Sequence, residues 1–526
     1  MKNAELKNKN NGFNTNANAE KLKAKDAERK FETPFETLTV IEFTDKIKNK
    51  EFSAYESTKY FLQKCKESKK NALLEVFDNA LDLAKAVDRK IANGEPVGVL
   101  AGVPIVIKDN ILYKGHISSA ASKLLANFVS PYNATVVQKL LDADAVIIAR
   151  ANQDEFAMGT TGGNSAFGIA KNGLNDDFVS GGSSSGSAAA VAGGLCLAAL
   201  GTDTGGSVRC PACWNGIVGV KPTYGTISRY GLIAFASSIE QCGIFTKTVA
   251  DNELLYSVLC GKDINDATTL PIPRYAPTKL DIKKLKIGRV KEVWQMAEKM
   301  QNIAKYNKVF DFFEKAGATI VDVSIKNIAL SLAGYYTVAT AEAASNLSRF
   351  DGVKYGMGDN GAENIIELYK SVRSAYFGNE VKRRIMTGNY NLGAEDFETY
   401  RIGTEVFADV KKGFAEVFNI VDCVLIPTTT DSAPRIDEKI TDPIQLYLMD
   451  LFTVPANVAG VPAVSVPCGM TVCRRLDDGN NKYDDVMMPI GLQILCAKRQ
   501  DSKMFGIANY FEKNFKFENS FKRGDV

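Results

Sequence analysis

The chain has 526 residues, of which 45% are hydrophobic and 24% charged, an ordinary globular balance that can bury a large core. Its formal charge of +3 comes from the first 30 residues, which hold eight Lys/Arg against four Asp/Glu, while the other 56 basic and 57 acidic residues nearly cancel. A folded part this close to neutral excludes a protein built mainly to neutralise phosphates.

The opening stretch, MKNAELKNKNNGFNTNANAEKLKAKDAERK, is rich in Asn and Lys and poor in large apolar residues. It cannot bury enough surface to offset its chain entropy, so residues 1–33 are expected to be a disordered tail ahead of a single domain, 34–526. The tail lacks the apolar core and cleavage site of a secretory signal, and its acidic residues argue against a transit peptide. The stretches LTVIEFTDKIKNKEFSAYESTKYFLQKCKESKK and NALLEVFDNALDLAKAVDRKIANG have apolar residues at three- and four-residue spacing and read as amphipathic helices. AGVPIVIKDN is then a short apolar strand ending in a lysine, and ATVVQKLLDADAVIIARAN a helix followed by a strand. GSAAAVAGGLCLAALGTD is a small-residue helix leading to a strand, and GIVGVKPTYG one strand more. Strands alternating with helices predict an α/β protein, a central sheet with helices on both faces.

From about residue 270 the pattern turns helical, through YNKVFDFFEKAGATIVDVSI to TYRIGTEVFADVKKGFAEVF. Strands return in VDCVLIPTT, and VPAVSVPCGM with MMPIGLQILCA predicts a hairpin across a polar loop, before a final amphipathic helix around DSKMFGIANYFEKNF. The longest uncharged run, Phe178 to Thr202, is made of Gly, Ser and Ala more than Leu, Ile and Phe, so no membrane span is expected.

Ten thinly spread cysteines without a secretion signal predict reduced thiols in a cytoplasmic protein. Cys210 and Cys213 form a C-x-x-C, a redox pair or half a zinc site. No second such pair exists and His116 is the only histidine, so no metal is expected. The one G-x-G-x-x-G match, Gly356 to Gly361, follows a charged loop rather than a strand and carries no nucleotide-binding argument.

The stretch VSGGSSSGSAAAVAGGLCLAALGTDTGGSVRCPA, Val179 to Ala212, crowds serines among glycines without a histidine to activate them. His116 sits in a polar turn, YKGHISSAA, and is expected to be structural, which removes a Ser-His-Asp triad. A lysine whose burial lowers its pKa can replace it as base. Lys108 and Lys221 both stand in apolar strand contexts, and periodicity does not choose between them. The glycines of DTGGS let backbone N–H groups converge on an oxyanion beside an attacking hydroxyl.

Taken together, GVPIVIKDN, GGSSSGSAAAVAGG, GTDTGGSVR and VGVKPTYG resemble the amidase signature family, which cleaves amides with a Ser-Ser-Lys triad. The resemblance implies the amidase-signature fold, a central mixed β-sheet covered by helices on both faces. It also implies Ser207 as nucleophile, Ser183 as bridging serine after a cis Gly182–Ser183 peptide, and Lys108 as base. Lys221 falls to a structural role. Backbone N–H groups from Thr204, Gly205 and Gly206 through Ser207 are implied as the oxyanion site.

Further stretches, NQDEFAMG, YGTISRYGLIAFASSIEQCG, AEAASNLSRFDGVKYG, EVKRRIMTGNY and DLFTVPANVAGVPAVSVPCG, resemble the glutamine-hydrolysing A subunits of bacterial Glu-tRNA(Gln) and Asp-tRNA(Asn) amidotransferases, over nearly everything after residue 35. That similarity implies that Arg384, with Arg383 adjacent, and Asp450 grip the glutamine head group, with Tyr335 or Tyr336 assisting. Guanidinium suits the α-carboxylate, and carboxylate the α-ammonium. It implies partner B and C subunits in a heterotrimer, with ATP, Mg and mischarged tRNA on the partner and no cofactor on this chain. The alternatives are a free-standing amidase and a catalytically silent assembly protein. Two stretches depart from the family's pattern: TTGGNS stands where SSTENS is usual, and RCPACW carries cysteines at the usual Gln and Ala positions.

Overall fold

The computed structural model describes residues 34–517 apart from 274, 359–360, 394–396, 439, 441 and 474–485. The expected tail, most of the polar hairpin loop and two residues of the glycine-rich match therefore lie outside the described residues. Eleven strands form one sheet: β1 (Leu73–Val76), β2 (Pro104–Lys108), β3 (Val146–Ala151), β4 (Ala198–Asp203), β5 (Val218–Lys221), β6 (Gln241–Thr246), β7 (Lys286–Val290), β8 (Thr319–Val323), β9 (Cys423–Pro427), β10 (Ala463–Cys473) and β11 (Val486–Cys496). Their spatial order is β1-β3-β2-β4-β6-β5-β10-β11-β9-β7-β8. The runs β3-β2-β4 and β9-β7-β8 are parallel and every other neighbour is antiparallel, so the sheet is mixed.

Every residue of β2, β3, β4, β5, β6 and β9 is buried. A strand buried at consecutive positions must be covered on both faces, and sixteen α-helices among the described residues supply that cover. None of these helices is long and apolar enough to cross a membrane.

The structure corrects the sequence reading at four strands. Leu73–Val76 is a half-buried edge strand paired with β3, not the start of a helix; the helix begins only at Ala80. Four residues are too few to display a period. The first stretch likewise holds two helices, Val40–Lys48 and Ala54–Glu67, the former opened by a reciprocal Thr39/Glu42 capping box. Gln241–Thr246, Lys286–Val290 and Thr319–Val323 are strands within segments that carry no clear strand signal. The first has a glycine at its centre, and the other two are short parallel strands flanking the helix Ile303–Lys315.

The helices Ser331–Asn346, Asn379–Gly393 and Glu398–Val417 build a second apolar core, with Val338, Val381, Val410 and Phe414 packing toward Val424 and Ile426 of β9. The first two approach closely at Gly388, where a Cβ would stand 2.0 Å from the Thr340 carbonyl oxygen. That contact holds the helix bearing Arg384 against the helix bearing Tyr336.

Candidate active site

Adjacent parallel strands β2 and β4 end side by side, bringing Lys108 to Thr202 and Asp203. Lys108 is fully buried, and its Nζ donates to Ser183 Oγ at 2.7 Å and Thr202 Oγ1 at 3.0 Å. Burial lowers its pKa to about 7, opposed by the charges of Asp154, Asp203 and Glu240. Ser183 stands in the turn before the helix Ser185–Ala192, and the Gly182–Ser183 peptide is cis. Ser207 lies in the turn after β4, where its carbonyl accepts from Ser184 N–H at 3.2 Å. It is 9% exposed, against 0% for Ser183 and Lys108, and its hydroxyl makes no hydrogen bond among the described residues. The array is therefore hydrogen-bonded on the Lys108–Ser183 side and open at Ser207.

Lys221 is also buried, and burial pushes it down to about 7 as well. Its Nζ donates to the Pro222 carbonyl at 2.9 Å. Geometry rather than proton affinity thus separates the two lysines, because only Lys108 meets a serine hydroxyl.

The turn bearing Ser207 is organised by Asp203, which the sequence reading passed over. Its carboxylate accepts from Gly206 N–H at 3.0 Å, Val208 N–H at 3.1 Å and the Arg209 guanidinium at 2.8 and 3.1 Å. Burial would raise this carboxyl, but Arg209 holds it down at about 2. Fully buried Arg209 also donates to Thr453 O at 2.8 Å, Gln493 Oε1 at 2.7 Å and Asn457 Oδ1. One expectation needs correcting: Gly206, implied as an oxyanion donor, has its N–H turned to Asp203. The N–H groups of Thr204, Gly205 and Ser207 have no protein acceptor among the described residues. Asp203 ends a strand and Arg209 begins a helix with a turn between them, so no single period relates the two and their pairing was not legible in the sequence.

Asp450, Tyr336 and Arg384 come together beside this turn. Tyr336 donates to Asp450 Oδ2 at 3.3 Å, and Thr160 Oγ1 donates to the same oxygen at 3.0 Å. Arg384 is buried among aromatic faces, its guanidinium carbon 5.3 Å from the Tyr336 ring centre, 5.6 Å from Phe235 and 5.8 Å from Tyr447, while its Nε donates to Glu380 at 2.8 Å. Arg383 is turned outward and pairs with the other Glu380 oxygen. Burial raises the Asp450 carboxyl to about 7 against the pull of Thr160 and Arg384. Thr453 Oγ1 lies between Gly205 O at 2.6 Å and Asp450 O at 3.1 Å, so one hydroxyl links Asp450 to the serine turn. Tyr335 stands over that turn, where a Cβ on Gly205 would meet its ring at 2.8 Å. Tyr447, stacked on Tyr336 with ring centres 3.9 Å apart, carried no sequence signal.

The departures TTGGNS and RCPACW fall in different places. Thr160 belongs to the pocket through Asp450, whereas Cys210 and Cys213 are buried free thiols on the helix Arg209–Trp214. Burial pushes Cys213 up to about 12, leaving it unreactive. His116 lies elsewhere, stacked on Tyr113 with Nδ1 3.3 Å from Glu75.

A model of the amidase family matches residues 56–505. The chain belongs to the amidase family. Within that family it is 42% identical to the A subunit of the glutamyl-tRNA(Gln) amidotransferase of Nostoc punctiforme, over 90% of this chain and 97% of that relative. It is equally identical to the corresponding A subunit of Caldanaerobacter subterraneus subsp. tengcongensis, over 92% and 97%. The crystal structure of the A subunit of the Thermotoga maritima glutamyl-tRNA(Gln) amidotransferase superposes with a TM-score of 0.71 at 35% identity, covering 92% of this chain and 96% of that one. The structure of 6-aminohexanoate cyclic dimer hydrolase, 21% identical with a TM-score of 0.74, shares the amidase fold.

Proposed function

We propose that the chain is the glutamine-hydrolysing A subunit of a tRNA-dependent amidotransferase, releasing ammonia that converts Glu-tRNA(Gln), and Asp-tRNA(Asn) where the complex accepts it, to the amidated aminoacyl-tRNA. One observation carries the reading. The Thr453 hydroxyl bonds both the Gly205 carbonyl of the Ser207 turn and the Asp450 backbone carbonyl, and Tyr336 touches both the buried Asp450 carboxylate and the Arg384 guanidinium, two opposite charges that suit the ammonium and carboxylate of an α-amino acid. A simple amide would need neither charge.

In the proposed reaction, Ser207 Oγ bonds to the glutamine carboxamide carbon, and its proton passes through the Ser183 hydroxyl to the neutral Lys108 amine. The oxyanion is met by backbone N–H groups of the turn, each such donor typically contributing ~3 kcal/mol. The proton returns by the same relay to the leaving nitrogen, which departs as ammonia. Water, deprotonated along that route, then releases glutamate from the Ser207 ester. Arg384 and Asp450 hold the substrate's far end, so binding there aligns the carboxamide over Ser207.

This cytoplasmic protein works with a B subunit, which binds tRNA and uses ATP and Mg, and with a small C subunit. The near-neutral folded part supports leaving tRNA to that partner. The test is glutaminase activity of the purified chain, alone and with candidate B and C subunits plus mischarged tRNA, for wild type, Ser207→Ala and Lys108→Ala. Stimulation by the partners and at least a thousandfold loss in both variants is expected. Equal activity without partners makes the chain a free-standing amidase, and active variants remove the Ser-Ser-Lys assignment.

A further inference from the structure

One short segment, residues 154–164, touches Ser183, Asp450 and the start of the helix that carries Arg384. Asp154 N–H donates to the Ser183 carbonyl at 3.1 Å, and the Asp154 carboxylate accepts from Gly162 N–H at 3.1 Å and Asn164 N–H at 2.8 Å, closing the segment on itself. The Thr160 carbonyl accepts from Gly182 N–H, and the Thr160 hydroxyl donates to Asp450. The relay serine and the head-group carboxylate are thus both fastened here.

The remaining tie is Glu155, and the reaction just described gives it no task. It is 2% exposed, so its carboxylate must be satisfied by the protein. One oxygen accepts from the Ser122 hydroxyl, and the other from Gly378 N–H at 2.8 Å. Gly378 opens the helix Asn379–Gly393, its carbonyl accepting from Lys382 N–H at 3.0 Å. A carboxylate there satisfies an orphan N–H and complements the helix dipole. The approach is so close that a Cβ on Gly378 would stand 2.3 Å from Glu155 Oε2. Arg384 follows one and a half turns along that helix, with its Nε held by Glu380.

We propose that Glu155 is a positioning residue that sets where Arg384 stands relative to Asp450 and Ser207, by pinning the start of the Arg384 helix to the segment that holds Ser183 and Asp450. This rests on Arg384 receiving the α-carboxylate of glutamine. Loss of the tie lets the helix start shift, which loosens head-group binding while the Lys108–Ser183–Ser207 chemistry stays intact.

The experiment compares steady-state glutaminase kinetics of the full chain with its partner subunits for wild type, Glu155→Ala, Glu155→Gln, Ser122→Ala and Arg384→Ala. Glu155→Ala is expected to raise KM for glutamine at least tenfold while kcat stays within threefold. Glu155→Gln, whose oxygen can still accept from Gly378 and whose amide can face Ser122, is expected to recover KM to within threefold of wild type. Ser122→Ala frees one carboxylate oxygen and should raise KM two- to fivefold, which keeps the test decisive if Glu155→Ala does not fold. An unchanged KM in Glu155→Ala, or in Ser122→Ala where that variant stands in for it, overturns the inference. So does a fall in kcat as large as the fall in kcat/KM. Ordinary KM in Arg384→Ala would instead defeat the head-group reading itself, and an inactive wild-type complex the proposed function.

Discussion

A lysine acts as a base near neutral pH only where the protein makes its charged form costly, and this fold does so twice, at Lys108 and Lys221. What separates them is reach, since Lys108 meets the Ser183 hydroxyl and Lys221 a carbonyl. Activity should require neutral Lys108, so kcat is expected to fall tenfold per pH unit below about 7. Asp450 also sits at about 7 without substrate, and its protonated form cannot pair with the α-ammonium. The slope of log kcat/KM should therefore approach two where that of log kcat stays near one. A kcat that is flat down to pH 5 would remove lysine as the base. Lys221→Met should keep activity within tenfold while Lys108→Met loses it.

Stability supplies an independent check on the same residue. The folded-state pKa of Lys108 lies below its usual 10.5, so the unfolded chain binds more protons between about 7 and 10.5. Its burial therefore costs stability fully below pH 7, and that cost fades as pH rises to 10.5. Lys108→Met should relieve on the order of 4 kcal/mol at pH 7, less what is lost with the bonds to Ser183 and Thr202. The inactive variant should melt at or above the wild-type temperature at pH 7, with the difference shrinking toward pH 10. A Tm several degrees lower would make Lys108 a structural tie.

At the scale of elements, the Ser207 turn is shaped less by its glycines than by Asp203 and Arg209, which fasten it to Thr453, Asn457 and Gln493 of the C-terminal part. Arg209→Met would leave the Asp203 carboxylate buried beside an apolar chain. Breaking such a pair from one side costs about 3–5 kcal/mol. Urea denaturation should show that loss together with a fall in kcat, and an unchanged midpoint would mean the pair is dispensable. Legibility in the sequence follows the same division. Lys108, Ser183 and Ser207 were legible only through the resemblance of their stretches to a family, because periodicity left Lys108 and Lys221 equal, whereas β2, β3, β4 and the β10–β11 hairpin were legible from pattern. Arg209, Glu155 and Tyr447 were not, because their partners lie far along the chain and side-chain periodicity carries no trace of them. The strands β1, β7 and β8 escaped because each carries a charged residue inside the run, is only partly buried and adjoins helical sequence, unlike the equally short but wholly buried β2, β5 and β9.

On the scale of the whole molecule, the decisive feature is that strands from the two halves of the chain join in one sheet along a single seam, where β5 pairs with β10. β5, read from near residue 220, lies between β6 and β10, and beyond β10 come β11 and β9, all from after residue 420. A fragment ending at residue 270 would expose β5, buried at every position, as an open edge. It would also strip Arg209 of its three C-terminal acceptors and Thr223 of Asp501, whose carboxylate holds the Thr223 N–H at 2.8 Å and its hydroxyl at 2.6 Å. The serine cluster, Lys108 and the Ser207 turn all lie within that fragment, yet their geometry depends on residues it lacks. Residues 34–270 expressed alone should therefore show no cooperative thermal transition, whereas co-expression with residues 271–526 should restore both a single transition and glutaminase activity. A cooperative melt of the isolated fragment within a few degrees of the full chain would mean instead that the sheet is assembled from two independently stable halves, and that the C-terminal part contributes substrate contacts without holding the catalytic turn in place.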